Sequence, residues 1–232
     1  MIKKVCLVFL ALVVVLLAAA GVAWKFNGER WQQEYAAFRK TGAPVLMYHA
    51  VGPEEGADWP RTLIMKPELF EAHLKYLKEQ GYTIVTVAEL AERLQQGKSV
   101  DKYVALSFDD GYKNNHSVVL PLLQKYDAKG SFFVINRDIG DELHMNEQEI
   151  KELIAAGMEL GSHTYSHNPL AAIDEKYLVW ETDTSRYWLK KKFDGYIVRT
   201  LAYPNGSYND RVIAAAKKYG FYRALTGHVG VN

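Results

Sequence analysis

Cysteine is almost absent from this 232-residue chain, and neither sign of charge prevails. The single cysteine, Cys6, lies within an N-terminal apolar run, so an intrachain disulfide and a thiolate metal cluster are both excluded. The chain has 28 Lys and Arg residues against 27 Asp and Glu residues, and its formal net charge of +1 gives no electrostatic argument for a nucleic-acid partner. Any metal site must therefore use histidine and carboxylate ligands.

The N-terminus contains a long apolar segment. Lys3 and Lys4 precede a stretch of apolar and small residues at 5–24, which is about 20 residues and long enough to cross a bilayer as a helix. The basic flank predicts a cytoplasmic N-terminus. Residues 1–24 are therefore interpreted as a transmembrane signal anchor, with a cleavable signal peptide as the alternative. Residues 25–42 predict a stalk helix or linker. The rest of the chain is expected outside the cell, held at the cell membrane or secreted after cleavage.

From residue 43 onward, short apolar runs alternate with amphipathic stretches, a pattern typical of parallel strands joined by crossover helices. The runs predict seven strands, at 45–48, 83–87, 103–108, 130–135, 158–162, 199–203 and 222–226. The amphipathic stretches predict helices at 67–80, 87–96, 117–126, 146–156, 174–193 and 209–219. Residues 43–232 are long enough for one catalytic domain. In α/β barrels, catalytic groups lie where the strands end.

Two pairs of polar residues follow predicted strands. Asp109 and Asp110 end the third strand and precede Gly111, which permits a sharp turn. His163 and His167 follow the fifth strand, and their spacing of four lets both imidazoles reach one metal. Two histidines and one carboxylate suit Zn²⁺, with Fe²⁺, Co²⁺ or Ni²⁺ as alternatives. Such an ion lowers the pKa of bound water towards about 7, and the second carboxylate would receive its proton.

Three segments, 107–111, 163–167 and 201–206, together resemble the successive motifs of the NodB-homology polysaccharide deacetylases, carbohydrate esterase family 4. The resemblance covers the chain from residue 43 to its end. It implies a distorted (β/α)7 barrel, here preceded by the N-terminal transmembrane helix. It also implies roles for particular residues: Asp109 as general base, Asp110, His163 and His167 as metal ligands, and the backbone N–H of Asn205 as a group that holds the oxyanion.

Amide hydrolysis also requires a general acid, because the leaving amine must be protonated. Residues 44–49 resemble the N-terminal segment of the permuted subgroup, which includes poly-N-acetylglucosamine deacetylases and places the acid histidine first. This resemblance implies that His49 is the general acid. The third motif departs from the family pattern, since Ala202 stands where an arginine often orients the base. Arg199 is not an aligned substitute. The family usually continues beyond residue 230, so a short or truncated member is expected.

Together these residues predict a metal-dependent hydrolase that removes N-acetyl groups from a GlcNAc-containing polysaccharide, of the poly-N-acetylglucosamine type or in peptidoglycan. An O-acetyl esterase acting on a xylan-like glycan would use the same groups. A catalytically inactive, membrane-tethered glycan-binding module is a further alternative. The partners expected are thus a polysaccharide and a membrane, and the oligomeric state is not indicated by any pattern.

Aromatic residues near the expected site are candidates for stacking on sugar rings. These are Tyr112, Tyr165 and Tyr203. The histidines outside the motifs are expected to be solvated. They are His73, His116, His144 and His228.

Overall fold

The structure is a computed structural model that describes residues 43–52 and 63–227. The predicted transmembrane segment, the predicted stalk and His228 lie outside the described residues. Within the described ranges, no helix has both the length and the apolar character needed to cross a bilayer.

A parallel sheet forms the centre of the fold, and all seven predicted strands are present within their predicted bounds. The strands are β1 (Val45–Tyr48), β2 (Ala50–Val51), β3 (Ile64–Met65), β4 (Thr83–Val85), β5 (Tyr103–Phe108), β6 (Ser131–Val134), β7 (Glu159–Ser162), β8 (Thr200–Ala202) and β9 (Arg223–Leu225). The sheet order is β1-β5-β6-β7-β8-β9, and β4 also pairs with β5. Strands β2 and β3 form a separate parallel pair.

Helices follow most strands of the sheet, as the alternating pattern predicts. They are α1 (Pro67–Glu79), α2 (Val87–Gln95), α3 (Leu120–Lys125), α4 (Glu147–Ala155), α5 (Glu175–Val179), α6 (Ser185–Lys192) and α7 (Asp210–Lys218). Thr86 and Asn146 begin α2 and α4 as capping boxes, in which the side chain at the cap and the glutamate three residues later bond to each other's backbone N–H.

The predicted helix at 174–193 is interrupted, because a π-helical turn at Trp180–Thr184 joins α5 to α6. Within this turn the hydroxyl of Thr182 donates to the carbonyl oxygen of Leu178 at 2.7 Å, a contact that competes with the regular helical ladder. A second π-helical turn, Asn115–Val119, precedes α3. Such turns are rare and occur frequently at functional sites.

Apolar clusters cover both faces of the sheet. The larger cluster joins alternate strand residues, such as Phe108 and Phe132, to helix residues such as Phe70. In this cluster the rings of Phe108 and Phe132 stack at 4.8 Å, because these residues are paired in register between β5 and β6. The smaller cluster lies on the other face and includes Phe133, Ala202 and residues of α2. The helices thus fix the positions of the strand ends.

The sheet curls without closing. A Cβ atom built on Gly227, just after β9, would lie 4.0 Å from the sulfur of Met47 in β1, so the two end strands approach each other. No hydrogen-bonded ladder joins β9 to β1 in the described part of the chain. Met47 keeps 51% of its surface exposed along this opening. The parallel α/β architecture is therefore as expected, whereas the described residues form a curled half-barrel instead of a closed seven-stranded barrel.

Candidate active site and metal centre

One edge of the sheet carries the polar groups of the site. Because the strands are parallel, the residues after β1, β5, β7 and β8 all emerge at the carboxyl edge. The backbone N–H of Asp109 bonds to the carbonyl oxygen of Tyr48 at 3.0 Å, and that of His163 bonds to the carbonyl oxygen of Val134 at 2.9 Å. The sheet thereby fixes the first residue of each motif before its loop begins.

Asp110, His163 and His167 bring three potential ligand atoms together, all within 4.8 Å of one another. The Nε2 atom of each histidine is 3.5 Å from Oδ1 of Asp110. Ligand atoms bound tetrahedrally to Zn²⁺ at their usual bond lengths would be about 3.4 Å apart. The spacing and the chemistry of these three side chains therefore fit a divalent metal ion.

The orientation of His163 is set by β8. Its Nδ1 lies 2.9 Å from the carbonyl oxygen of Ala202, and since a carbonyl can only accept, Nδ1 carries the proton. This leaves Nε2, on the side of Asp110, free of hydrogen in the neutral ring. Burial lowers the pKa of His163, which favours the neutral form that binds metal. Ala202, which replaces the arginine of the family pattern, thus contributes its backbone.

The backbone turns sharply at Asp110 and Gly111, directly after Asp109. Asp110 has φ 71° and Gly111 has φ 81°, both in the left-handed region. Asp109 keeps only 7% of its surface exposed, and its Oδ1 has no hydrogen-bond partner among the described residues. Burial, together with the neighbouring charge of Asp110, raises the pKa of Asp109 to about 7. This carboxylate is therefore poised to accept a proton near neutral pH.

His49 follows β1 directly and is half-buried. Its carbonyl oxygen accepts a hydrogen bond from Nδ2 of the buried Asn115 at 2.9 Å. Burial lowers the pKa of His49, the charge of Asp110 opposes this shift, and His167 adds to it. These interactions place the imidazole in electrostatic range of the metal-ligand cluster, on the side of β1.

Tyr112 contacts Asp110. Burial raises the pKa of Tyr112, and both the charge of Asp110 and a hydrogen bond to its side chain add to the shift. The tyrosine ring also stacks on His144, with centroids 5.1 Å apart and an interplanar angle of 17°. Tyr112 is only 6% exposed, and its hydrogen bond to Asp110 places it beside the metal-ligand cluster. Its role in contacting a sugar stays a prediction.

The other two candidate aromatics each contact a more exposed ring. Tyr203 is buried and stacks on Tyr208 at 5.4 Å. Tyr165 is half-buried and meets Trp180 edge-on at 5.1 Å. Trp180, which no sequence motif singles out, keeps 48% of its surface exposed and is a further candidate for stacking on a sugar.

Asn205 lies in the short turn Pro204–Gly206 that follows β8, with φ 54° and ψ 22°. The turn is closed by a hydrogen bond of 2.9 Å from the N–H of Gly206 to the carbonyl oxygen of Tyr203. Asn205 is exposed and belongs to the same edge of the sheet as the metal-ligand cluster. Its role in holding an oxyanion stays a prediction.

Arg199 lies at the opposite edge, before β8 begins, and its guanidinium is 5.5 Å from the ring centroid of Tyr222. It therefore does not replace the missing arginine. The expectation of solvated histidines was wrong for those the structure describes, since each is half-buried with a polar partner. These pairs are His73 with Tyr48 at 3.3 Å, His116 with Glu152 at 2.7 Å and His144 with Asp141 at 2.8 Å.

Comparisons of the sequence and of the fold with known proteins both find polysaccharide deacetylases. The family model described as "Polysaccharide deacetylase" matches residues 96–224. The Bacillus subtilis protein YxkH, whose name assigns it provisionally to the polysaccharide deacetylases, is 33% identical over 191 residues, or 81% of this chain and 65% of that protein. The poly-beta-1,6-N-acetyl-D-glucosamine N-deacetylase of Staphylococcus aureus is 28% identical over 165 residues, or 65% of this chain and 57% of the relative.

Among solved structures, the Streptococcus pyogenes deacetylase PplD in complex with acetate is similar, with a TM-score of 0.70 and 31% sequence identity. The similarity covers 77% of this chain and 80% of that chain. The chain spans less than two thirds of the length of the two curated relatives, at 65% and 57%.

Proposed function

Because this chain belongs to the polysaccharide deacetylase family, we propose that it is a metal-dependent hydrolase that removes N-acetyl groups from a polysaccharide containing N-acetylglucosamine. One observation carries the proposal: the ligand set of Asp110, His163 and His167 lies at the same sheet edge as the buried carboxylate of Asp109. A module that only binds glycan needs neither a metal-ligand set nor a buried carboxylate oxygen without a partner, which is costly to maintain.

A divalent ion held by Asp110, His163 and His167 supplies Lewis acidity towards a water molecule and the acetamide carbonyl oxygen. Zn²⁺ suits this ligand set best, and Fe²⁺, Co²⁺ or Ni²⁺ can occupy similar sites. Residues of the chain carry out the proton transfers and hold the oxyanion. Asp109 accepts a proton from the attacking water, since its raised pKa of about 7 matches this task near neutral pH.

The tetrahedral intermediate then collapses to acetate and a free amine, which requires a proton on the leaving nitrogen. We assign this proton to His49, which lies within electrostatic range of the ligands from the side of β1. Its lowered pKa favours the neutral ring, so His49 first takes up a proton from solvent and then donates it to the leaving nitrogen. Asp109 returns to solvent the proton that it received from the attacking water, so the proton transfers balance. The backbone N–H of Asn205, after β8, is our candidate for holding the oxyanion.

We propose a poly-N-acetylglucosamine-type exopolysaccharide as the preferred substrate, with peptidoglycan as the second choice. One comparison supports this choice of substrate: the staphylococcal relative is named for the deacetylation of poly-beta-1,6-N-acetyl-D-glucosamine. The streptococcal deacetylase structure holds acetate, the product of deacetylation, and so supports the reaction type but not a particular polymer.

The test uses the full chain in detergent, loaded with zinc, with β-1,6-linked N-acetylglucosamine oligomers as substrate. Free amine and acetate are expected in equal amounts from the wild type and in traces from Asp109→Asn. His116→Ala, a histidine that pairs with Glu152 outside the ligand cluster, is the matched control and is expected to react like the wild type. Equal product from the wild type and Asp109→Asn would contradict the proposal.

A second substrate, acetylated xylan oligomers, separates the alternatives. Acetate release from acetylated xylan oligomers, without any release from N-acetylglucosamine oligomers, would favour an esterase. Tight binding of glycan without acetate from either substrate would favour a binding module.

For the location, we propose that residues 1–24 hold the enzyme at the cell membrane with its catalytic domain outside. The support is the basic flank and the apolar stretch at 5–24. Membrane fractionation, with external protease added to intact cells, tests the proposal. Recovery of the full-length chain in the cytoplasmic fraction would contradict it.

A further inference from the structure

The loop that carries the two histidine ligands has a strained backbone. Thr164 has φ 69° and His167 has φ 60°, both in the left-handed region, and for the β-branched Thr164 this is a marked outlier. Each such residue costs about 1–3 kcal/mol and persists only where its surroundings over-determine the conformation. Something in the structure must therefore hold the loop in its ligand-binding shape.

Glu181 holds this loop from the π-helical turn Trp180–Thr184. Its side chain is 1% exposed, and one carboxylate oxygen accepts the backbone N–H groups of Tyr165 and Ser166 at 2.9 Å and 2.8 Å. The other oxygen accepts a short hydrogen bond from the hydroxyl of Ser166 and a bond of 3.0 Å from Nδ2 of Asn168. One carboxylate thus satisfies four donors of a single loop.

Further polar contacts hold the beginning of the loop independently of Glu181. The hydroxyls of Ser162 and Ser185 are 2.7 Å apart, and that of Ser185 also donates to Oδ1 of Asn136 at 2.8 Å. Ser162 also accepts the N–H of Thr164 at 3.0 Å. Together with the bond of His163 to Ala202, these contacts keep the first ligand in place. Among the described residues, no hydrogen bond from β7 or β8 holds the ring of the second ligand, His167.

We propose that Glu181 is a positioning residue for His167, which holds the loop so that the second imidazole reaches the metal. His167 is 30% exposed in its side chain, against 3% for His163, so it depends more on the loop for its orientation. Its own N–H bonds only to the hydroxyl of Thr164, at 3.1 Å, within the same strained loop. The inference rests on the metal site of the proposed function but does not depend on the substrate.

Metal affinity tests this role without any turnover. In the full chain in detergent, zinc binding is measured by competition with a chromophoric chelator. Glu181→Gln keeps the size of the side chain but places an amide N–H₂ against loop donors, and we expect a 10–100-fold loss of affinity, the range typical of residues that support metal ligands. If Glu181 acts only through His167, it has no ligand left to position once His167 is replaced. The double variant Glu181→Gln with His167→Ala should therefore bind zinc within about twofold of His167→Ala alone.

A matched control comes from Glu159, a buried carboxylate at the opposite edge of the sheet. It accepts hydrogen bonds from Ser131, Thr200 and the N–H of Ala88. Glu159→Gln should destabilise the fold yet leave zinc affinity unchanged. Thermal unfolding checks that each variant is folded. If Glu181→Gln fails to fold, Ser166→Ala combined with Asn168→Ala removes two of the four donors and should lower the affinity in the same direction.

Three results would overturn the proposal. They are unchanged zinc affinity in folded Glu181→Gln, an equal loss of zinc affinity in Glu159→Gln, and a loss in the double variant equal to the product of the losses of Glu181→Gln and His167→Ala. Wild-type protein that binds zinc but releases no acetate would contradict the proposed function while leaving the role of Glu181 to be decided by these affinities.

Discussion

Asp109 is a costly residue for the fold to maintain. Its buried Oδ1 has no partner among the described residues, and the adjacent Asp110 adds like charge. Burial of an unpaired carboxylate is unfavourable, and strained or unsatisfied groups are typical of functional sites. The buried carboxylate therefore lowers the stability of the chain, as expected for the general base that we propose.

A stability measurement follows from this cost. Asp109→Asn removes the ionisable group at nearly constant shape, so we expect the metal-free variant at pH 8 to be at least as stable as the wild type. The product assay should show a loss of turnover of about 10²–10⁴-fold for the same variant. The free energy of unfolding from urea titration is the measurement. A clear loss of stability in Asp109→Asn would mean that the carboxylate has a structural role.

The ligand set gives a second prediction at this scale. His163→Ala should lower zinc affinity by more than about 100-fold, the upper range seen for residues that merely support ligands. His116→Ala removes a half-buried imidazole that pairs with Glu152 and should leave the affinity unchanged. Elemental analysis after gel filtration measures bound zinc. Stoichiometric zinc in His163→Ala would remove this residue from the ligand set.

The residues in local motifs could be predicted from the sequence. Residues that contact the site from distant segments of the chain could not. Asp110, His163 and His167 were predicted as one site because each follows a strand of the same parallel sheet. Glu181 was missed because the pattern of an amphipathic helix does not reveal which buried carboxylate faces a loop 15 residues earlier. The carbonyl oxygen of Ala202 was missed because any residue supplies a backbone carbonyl.

Among the secondary-structure elements, strands and long helices follow from hydrophobic periodicity, and their interruptions do not. The seven strands of the main sheet were predicted because apolar runs bounded by loops are distinctive. The pair β2 and β3 has two residues in each strand, too few for any period to show. The π-helical turn Trp180–Thr184 contains a side-chain contact, that of Thr182 with Leu178, which a period of 3.6 residues cannot encode.

Strand β7 depends on the absence of a side chain at Gly161. A Cβ atom built there would lie 2.3 Å from the ring of Phe133, which is fully buried in β6. We expect Gly161→Ala to destabilise the protein by about 1–3 kcal/mol through overpacking. Urea unfolding of the metal-free protein measures the change.

The matched control for this prediction is the double variant. Phe133→Leu in the Gly161→Ala background makes room for the added methyl group, so the two losses should sum to more than the loss in the double variant. Additive losses of unfolding free energy would show that the ring of Phe133 does not limit the space for a side chain at position 161.

On the scale of the whole molecule, every contact described for the site comes from residues 43–227. We therefore expect residues 43–232, expressed alone, to fold and to bind zinc with the affinity of the full chain. Circular dichroism and the chelator competition measure both properties. A loss of zinc affinity in this fragment would show that residues 1–42 take part in the site.

The face of the sheet that carries the smaller apolar cluster has a consequence for how a long polymer is attacked. Phe133 is fully buried on that face, and Val87 and Leu90 of α2 belong to the same cluster, so apolar side chains occupy the space beside the strands there. We therefore expect a glycan to lie across the carboxyl edge, where the proposed metal ligands are. Free chain ends are then unnecessary, and we expect acetyl groups to be removed from interior sugar units, leaving the polymer at its original length with amines scattered along it.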